Sequence, residues 1–102
     1  MMLHPDLLNA AFEVYLQWGP ELERPATARL RDRRPDLSDD DIGAALAFCA
    51  RAVAEAWPLG EEYAARRLDY QQLHAALCGR YPMLSSEVVH KLANRVCYDA
   101  VI

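Results

Sequence analysis

The sequence predicts an all-α fold: a compact single domain of five to six short helices around a central helix at about residues 39–56. Three observations predict it. Apolar residues recur at steps of three and four along several stretches, which places them on one helix face. No sustained strand-like alternation rich in β-branched and aromatic residues occurs, and no Asn-Gly or Asp-Gly pair marks a hairpin. Ser or Asp stands before the periodic stretches, and Gly or Pro follows them, as helix starts and stops require.

The first helix is expected over 5–18. Pro5 suits the first helical position, and Asp6 complements the positive end of the dipole. Leu7, Leu8, Ala11, Phe12, Tyr15 and Leu16 form one broad stripe, with Val14 and Trp18 at its margins, and Gly19-Pro20 ends it. So wide a stripe either packs between two neighbours or leaves Tyr15 and Trp18 for a partner. Residues 20–25 form a proline-bounded connector. A short helix with thin apolar content follows over 26–34, with Thr27 as a cap. Arg24, Arg29, Arg31, Arg33 and Arg34 crowd this stretch, and Asp36, Asp39, Asp40 and Asp41 follow at once.

Ser38 caps the central helix, and Asp41 is placed to complete a short capping box. Leu37 can staple onto Ile42. Ile42, Ala45, Leu46, Cys49, Val53, Ala56 and Trp57 make the inner face, and alanine fills most other positions, so neighbouring helices can approach closely. Pro58 disfavours helical geometry at Trp57, so the helix is expected to stop near Ala56. Glu61 and Glu62 then open a further helix, with Tyr63, Ala64 and Leu68 inward. Asp69 with Gln72 reads as a capping box, which puts a break or kink near Leu68-Asp69. Leu73, Ala76 and Leu77 point inward with Tyr70 beside them, and Gly79 and Tyr81-Pro82 end that helix. Ser85 caps the last helix, whose stripe runs from Val88 to Val101.

Shifting the chain by 47 places aligns Ala28, Leu30, Arg33, Pro35, Leu37 and Ser38 with identical residues at 75, 77, 80, 82, 84 and 85. This weak internal repeat, 26–54 against 73–101, is explained either by duplication or by two helix joints obeying the same capping rules.

Composition narrows the function. Hydrophobic content of 53 % with 25 % charged residues suits a globular domain rather than a disordered one. A net charge of −4 disfavours a general electrostatic grip on nucleic acid or anionic membrane. Three cysteines, widely spaced within helical patterns, suggest reduced thiols and a cytoplasmic protein. The N-terminal residues show no signal peptide, and no run approaches the ~18 uninterrupted apolar residues of a membrane span. Ten of the eleven basic residues are arginine, which with the alanine excess reads as GC-rich coding bias.

Chemistry is not written in the spacing. His74 and Cys78, with His90 and Cys97, lack the close pairs of a zinc site. Each cysteine lies in an apolar stripe, where burial keeps a thiol protonated. The carboxylates sit at helix starts, where capping accounts for them. No calcium loop, phosphate loop or dinucleotide fingerprint occurs. No catalytic residue, metal or cofactor is therefore expected.

The expectation is a non-enzymatic protein–protein interaction domain, such as an adaptor or a small inhibitor or immunity-type protein that blocks a partner. The residues expected to meet that partner are Arg29, Arg31, Arg33, Arg34, Asp36, Asp39 and Asp40, together with the aromatics Tyr15, Trp18, Tyr63 and Tyr70. The opposed charge clusters are also compatible with a homodimer. The alternative is a helix-turn-helix-like DNA-binding regulator. Three aspartates at the start of the central helix oppose it there, but Lys91, Asn94 and Arg95 on the last helix are milder.

Overall fold

A computed structural model describes residues 4–17 and 24–101. The fold is all-α, with five helices and no strand among the described residues: α1 (Pro5–Tyr15), α2 (Ala26–Arg33), α3 (Asp39–Ala64), α4 (Tyr70–Arg80) and α5 (Ser86–Val101). The sequence reads as one domain; the chain divides into two compact units, Met1–Arg51 and Ala52–Ile102, with the boundary inside α3.

In the first unit α1 starts at Pro5, as the proline predicts, and His4 is its N-cap: the Asp6 amide donates to His4 Nδ1 at 3.1 Å. Leu7, Leu8, Ala11, Phe12 and Val14 are buried, and Phe12 meets Phe48 edge-on with ring centroids 6.1 Å apart. The helix ends at Tyr15, short of the expected 18; Trp18 lies outside the described residues. α2 carries its apolar content in one fully buried residue, Leu30. Its N-cap is Pro25, which offers no side-chain bond, so the capping expected of Thr27 is not used.

In the second unit α4 begins with the expected capping box: the Gln72 amide donates to Asp69 Oδ1 at 2.8 Å, and the Asp69 amide to Gln72 Oε1 at 2.9 Å. Leu73 and Leu77 are buried on α4, and Val88, Val89, Leu92, Ala93 and Val96 on α5. The Tyr81 hydroxyl donates to Glu55 at 3.0 Å, and Arg80 pairs with the same carboxylate at 3.1 Å, fastening the end of α4 to α3.

α3 corrects the expected stop near Ala56. It continues through Pro58 to Ala64 and takes in Glu61 and Glu62 as its last turn rather than the first turn of a new helix. A proline inside a helix removes one hydrogen bond and costs about 3 kcal/mol. Here the freed acceptor belongs to Ala54, on an exposed position where water can satisfy it. Small residues hold the continuation in place. Ala52, Ala56 and Gly60, at i, i+4 and i+8, are all buried. At Gly60 a methyl group would stand 2.7 Å from the Val96 carbonyl oxygen and 3.4 Å from the Ala100 methyl, so α3 and α5 touch backbone to backbone there. By length and composition α3, with mean hydropathy 1.3 over its most apolar window, could cross a membrane; core helices of water-soluble proteins meet the same criterion.

The two joints that share sequence also share geometry. Helix ends at Arg33 and Arg80, and starts at Asp39 and Ser86, are each 47 positions apart. The C-caps Arg34 and Tyr81 have φ/ψ of −135°/74° and −124°/64°, and their amides donate to Leu30 and Leu77. The Asp41 amide donates to Ser38 Oγ at 3.1 Å, and the Val88 amide to Ser85 Oγ at 3.2 Å. The same residues in the same order make the same turn.

Candidate functional site

The arginine cluster of the first unit separates into one interior residue and several surface pairs. Arg29 is 8 % exposed, and its guanidinium donates to the carbonyls of Val14 (2.8 Å) and Arg24 (3.0 Å) and to Gln17 Oε1 (3.1 Å). It adds a charged donor to the Val14 carbonyl in the last turn of α1, which also accepts from the Gln17 amide at 3.2 Å, and ties the connector to it through the Arg24 carbonyl. Expected to meet a partner, Arg29 is instead a buried clamp, because its long stem lets a charge reach inward from α2 to these acceptors. Arg31 pairs with Asp39, Arg33 with Glu13 at 2.6 Å, and Arg24 with Asp32. Arg34 and Asp36 form two parallel contacts of 3.3 Å at the surface. The Asp36 bond raises the Arg34 guanidinium above its ordinary value, and the Arg34 bond lowers the Asp36 carboxyl. Asp40 is exposed and Tyr15 half-buried. The basic and acidic clusters thus neutralise one another within the unit.

The second unit gathers polar aromatics on one side of α4 and α5. His90 Nε2 lies 3.2 Å from Asn94 Nδ2, and its Nδ1 lies 2.5 Å from the Tyr70 oxygen. The Tyr70 hydroxyl proton points to the His90 carbonyl at 3.4 Å. Burial, then the neighbouring Cys97 thiol, pushes the Tyr70 hydroxyl up, so it stays protonated. His74 Nδ1 lies 3.6 Å from Cys78 Sγ, and the His74 and His90 ring centroids are 6.4 Å apart. A thiol–imidazole contact becomes a nucleophilic site when a third group orients the base; His74 makes no other hydrogen bond among the described residues. No three His, Cys, Asp or Glu residues among them could share a metal ion. Lys91 pairs with Glu87 at 3.7 Å, and Arg95 with Asp99 at 3.1 Å, so with Asn94 the three residues considered for DNA are engaged along α5 itself.

The remaining feature is a cleft at the α3–α4 joint, of about 440 Å³, lined by Tyr63, Ala64, Arg66, Leu68, Asp69 and Val101. Of the sequence-predicted aromatics, Tyr63 lies in it. The joint is a Schellman turn: the Arg66 amide donates to the Tyr63 carbonyl at 3.0 Å and the Arg67 amide to the Glu62 carbonyl at 3.0 Å. Its left-handed position is held by Arg66, at φ 62°, where glycine is usual. Arg67 pairs with Glu62 at 3.5 Å.

The second unit also exposes large apolar side chains, of which Val101 lines the cleft. Trp57 is 40 % exposed, Tyr98 55 % and Val101 66 %; Met83 is the fourth such residue among those described, and none falls in the first unit. Sequence reasoning placed Trp57 and Val101 on inner stripes and passed over Tyr98; the i, i+4 spacing of Glu62 and Arg66 predicts an ion pair, but Glu62 pairs with Arg67 instead. Tyr98 carries a readable signal, since it is an aromatic off the apolar stripe of its own helix. Arg66 carries none, because an arginine at a helix end is ordinary dipole chemistry. No known protein family, no curated protein and no solved structure matches this chain.

Proposed function

We propose that the protein is a non-enzymatic binding module, an adaptor or a blocking inhibitor, that meets another protein through its second unit. The observation that carries the reading is the set of exposed Trp57, Tyr98 and Val101, the last of which also lines a cleft whose walls are mostly apolar. Tyr98 and Val101 share one face of α5, and Trp57 lies one turn before Gly60, where α3 meets α5. Large aromatics supply contact area at little conformational cost, which is why they dominate binding surfaces. The paired charges of the first unit form a self-neutralised surface, where isolated exposed pairs are worth about 0–1 kcal/mol.

The test uses the full chain as bait beside a Trp57→Ala/Tyr98→Ala double variant of matched helicity. Quantitative mass spectrometry of the captured proteins should show a discrete set lost by the variant. Retention of every captured protein by the variant ends the reading.

A further inference from the structure

Arg66 is an exposed basic residue held in a left-handed backbone conformation that favours glycine. Among the described residues the other arginines and Lys91 lie on carboxylates, or in the case of Arg29 on carbonyls, except Arg51 and Arg66. Arg66 lines the cleft at the α3–α4 joint, and Arg51 is not among its lining residues. Its backbone is held at φ 62°, a conformation that costs a side-chain-bearing residue about 1–2 kcal/mol and that glycine adopts freely. Asp69, the other charge in the cleft, is already engaged as the N-cap of α4 through the Gln72 amide. Of the two charged side chains lining the cleft, Arg66 is the one that makes no ion pair or hydrogen bond among the described residues, and the surfaces beside it, Tyr63, Leu68 and Val101, are largely apolar.

We propose that this cleft receives an exposed segment of the partner protein in which an acidic side chain adjoins a large apolar one. The Arg66 guanidinium takes the carboxylate as a two-pronged, charge-assisted pair, and Tyr63, Leu68 and Val101 take the apolar group. The volume of about 440 Å³ is at the small end for ligand sites, which suits one anchor rather than a long peptide. The inference rests on the protein-binding reading above and names the chemistry of its partner.

The probe is the peptide acetyl-Gly-Glu-Leu-Leu-Glu-Gly-amide, titrated into the ¹⁵N-labelled full chain and followed by amide chemical shifts. Its counterpart has Lys in place of both Glu residues, and decanoate supplies the same carboxylate and apolar group without a protein. The expected result is saturable shifts at Tyr63, Ala64, Arg66, Leu68 and Val101 with the acidic peptide at up to ~1 mM. Arg66→Gln should weaken that binding roughly tenfold, the loss of one charge-assisted pair. Arg66→Gly relieves the backbone and removes the guanidinium, so it should melt higher than the wild type and still lose the peptide; a purely structural role for Arg66 predicts no such split. Absence of shifts in the cleft, equal binding of the Lys peptide, or unchanged binding by Arg66→Gln overturns the proposal. Binding of decanoate alone overturns it too. If captured proteins still depend on Trp57 and Tyr98 while the peptide fails, the cleft chemistry is wrong and the binding reading stands.

Discussion

Glycine-to-alanine substitution at three positions should give opposite signs for one chemical change. In a helix interior the added methyl contributes about 0.8–1.0 kcal/mol of helix propensity. At Gly43 and Gly79 it would meet nothing within 4 Å, and neither residue is in the left-handed region, so the full gain should appear. At Gly60 the methyl would stand 2.7 Å from the Val96 carbonyl oxygen and 3.2 Å from its carbon, both backbone atoms that cannot rotate away. Forcing α3 and α5 apart is overpacking, which costs about 1–3 kcal/mol. Gly60→Ala is then neutral to about 2 kcal/mol destabilising, and it separates from Gly43→Ala and Gly79→Ala by about 1–3 kcal/mol. Thermal unfolding followed by circular dichroism reads this directly, at about 4–8 °C per kcal/mol for a domain of this size. If Gly60→Ala stabilises as much as the other two, the close α3–α5 contact does not exist, and with it falls the account of why α3 runs through Pro58.

Pro58→Ala should raise stability by about 2 kcal/mol: the ~3 kcal/mol interior penalty is relieved, less the unfolded-state entropy regained. A loss of stability in urea denaturation would show that the proline shapes α3. Arg29→Ala should cost about 2–3 kcal/mol, because buried carbonyls lose a charged donor. Arg34→Ala, which removes a surface pair, should change chemical denaturation midpoints little; comparable effects would refute the division of the cluster. Thiol alkylation should label half-buried Cys78 first and Cys49 last. Cys49 is fully buried and pushed up to about 12 by that burial. A raised thiol favours the folded state below its ordinary value near 9.0 and loses that contribution as pH rises toward about 12. Tyr70 and Tyr81, also raised chiefly by burial, act in the same direction. Resistance to urea should therefore fall as pH rises from about 9 toward about 12, and a flat profile there would contradict these burials.

Much of the fold is legible in the chain because helix termini are local. Ser38, Ser85 and the Asp69–Gln72 box were readable as caps, since each bond joins residues three apart. Leu30, Ile42, Leu77 and Val89 were readable as buried because their spacing matches the helical turn. The candidate site was legible only in part: Tyr63 lay among the expected residues, while Arg66, Leu68 and Val101 were not singled out as contacts.

The sequence by itself determined that the chain is helical, where α4 begins, and that the joints at 33–39 and 80–86 are alike, because capping and periodicity act over a few residues. Tertiary structure alone decided three matters. It carried α3 through Pro58, since the close α3–α5 contact at Gly60 comes from far along the chain. It turned Arg29 inward, because the carbonyls that accept from it lie 15 residues away at Val14 and 5 residues away at Arg24. And it made a cleft at Arg66, because Val101, one wall of it, is brought there by packing and not by sequence proximity.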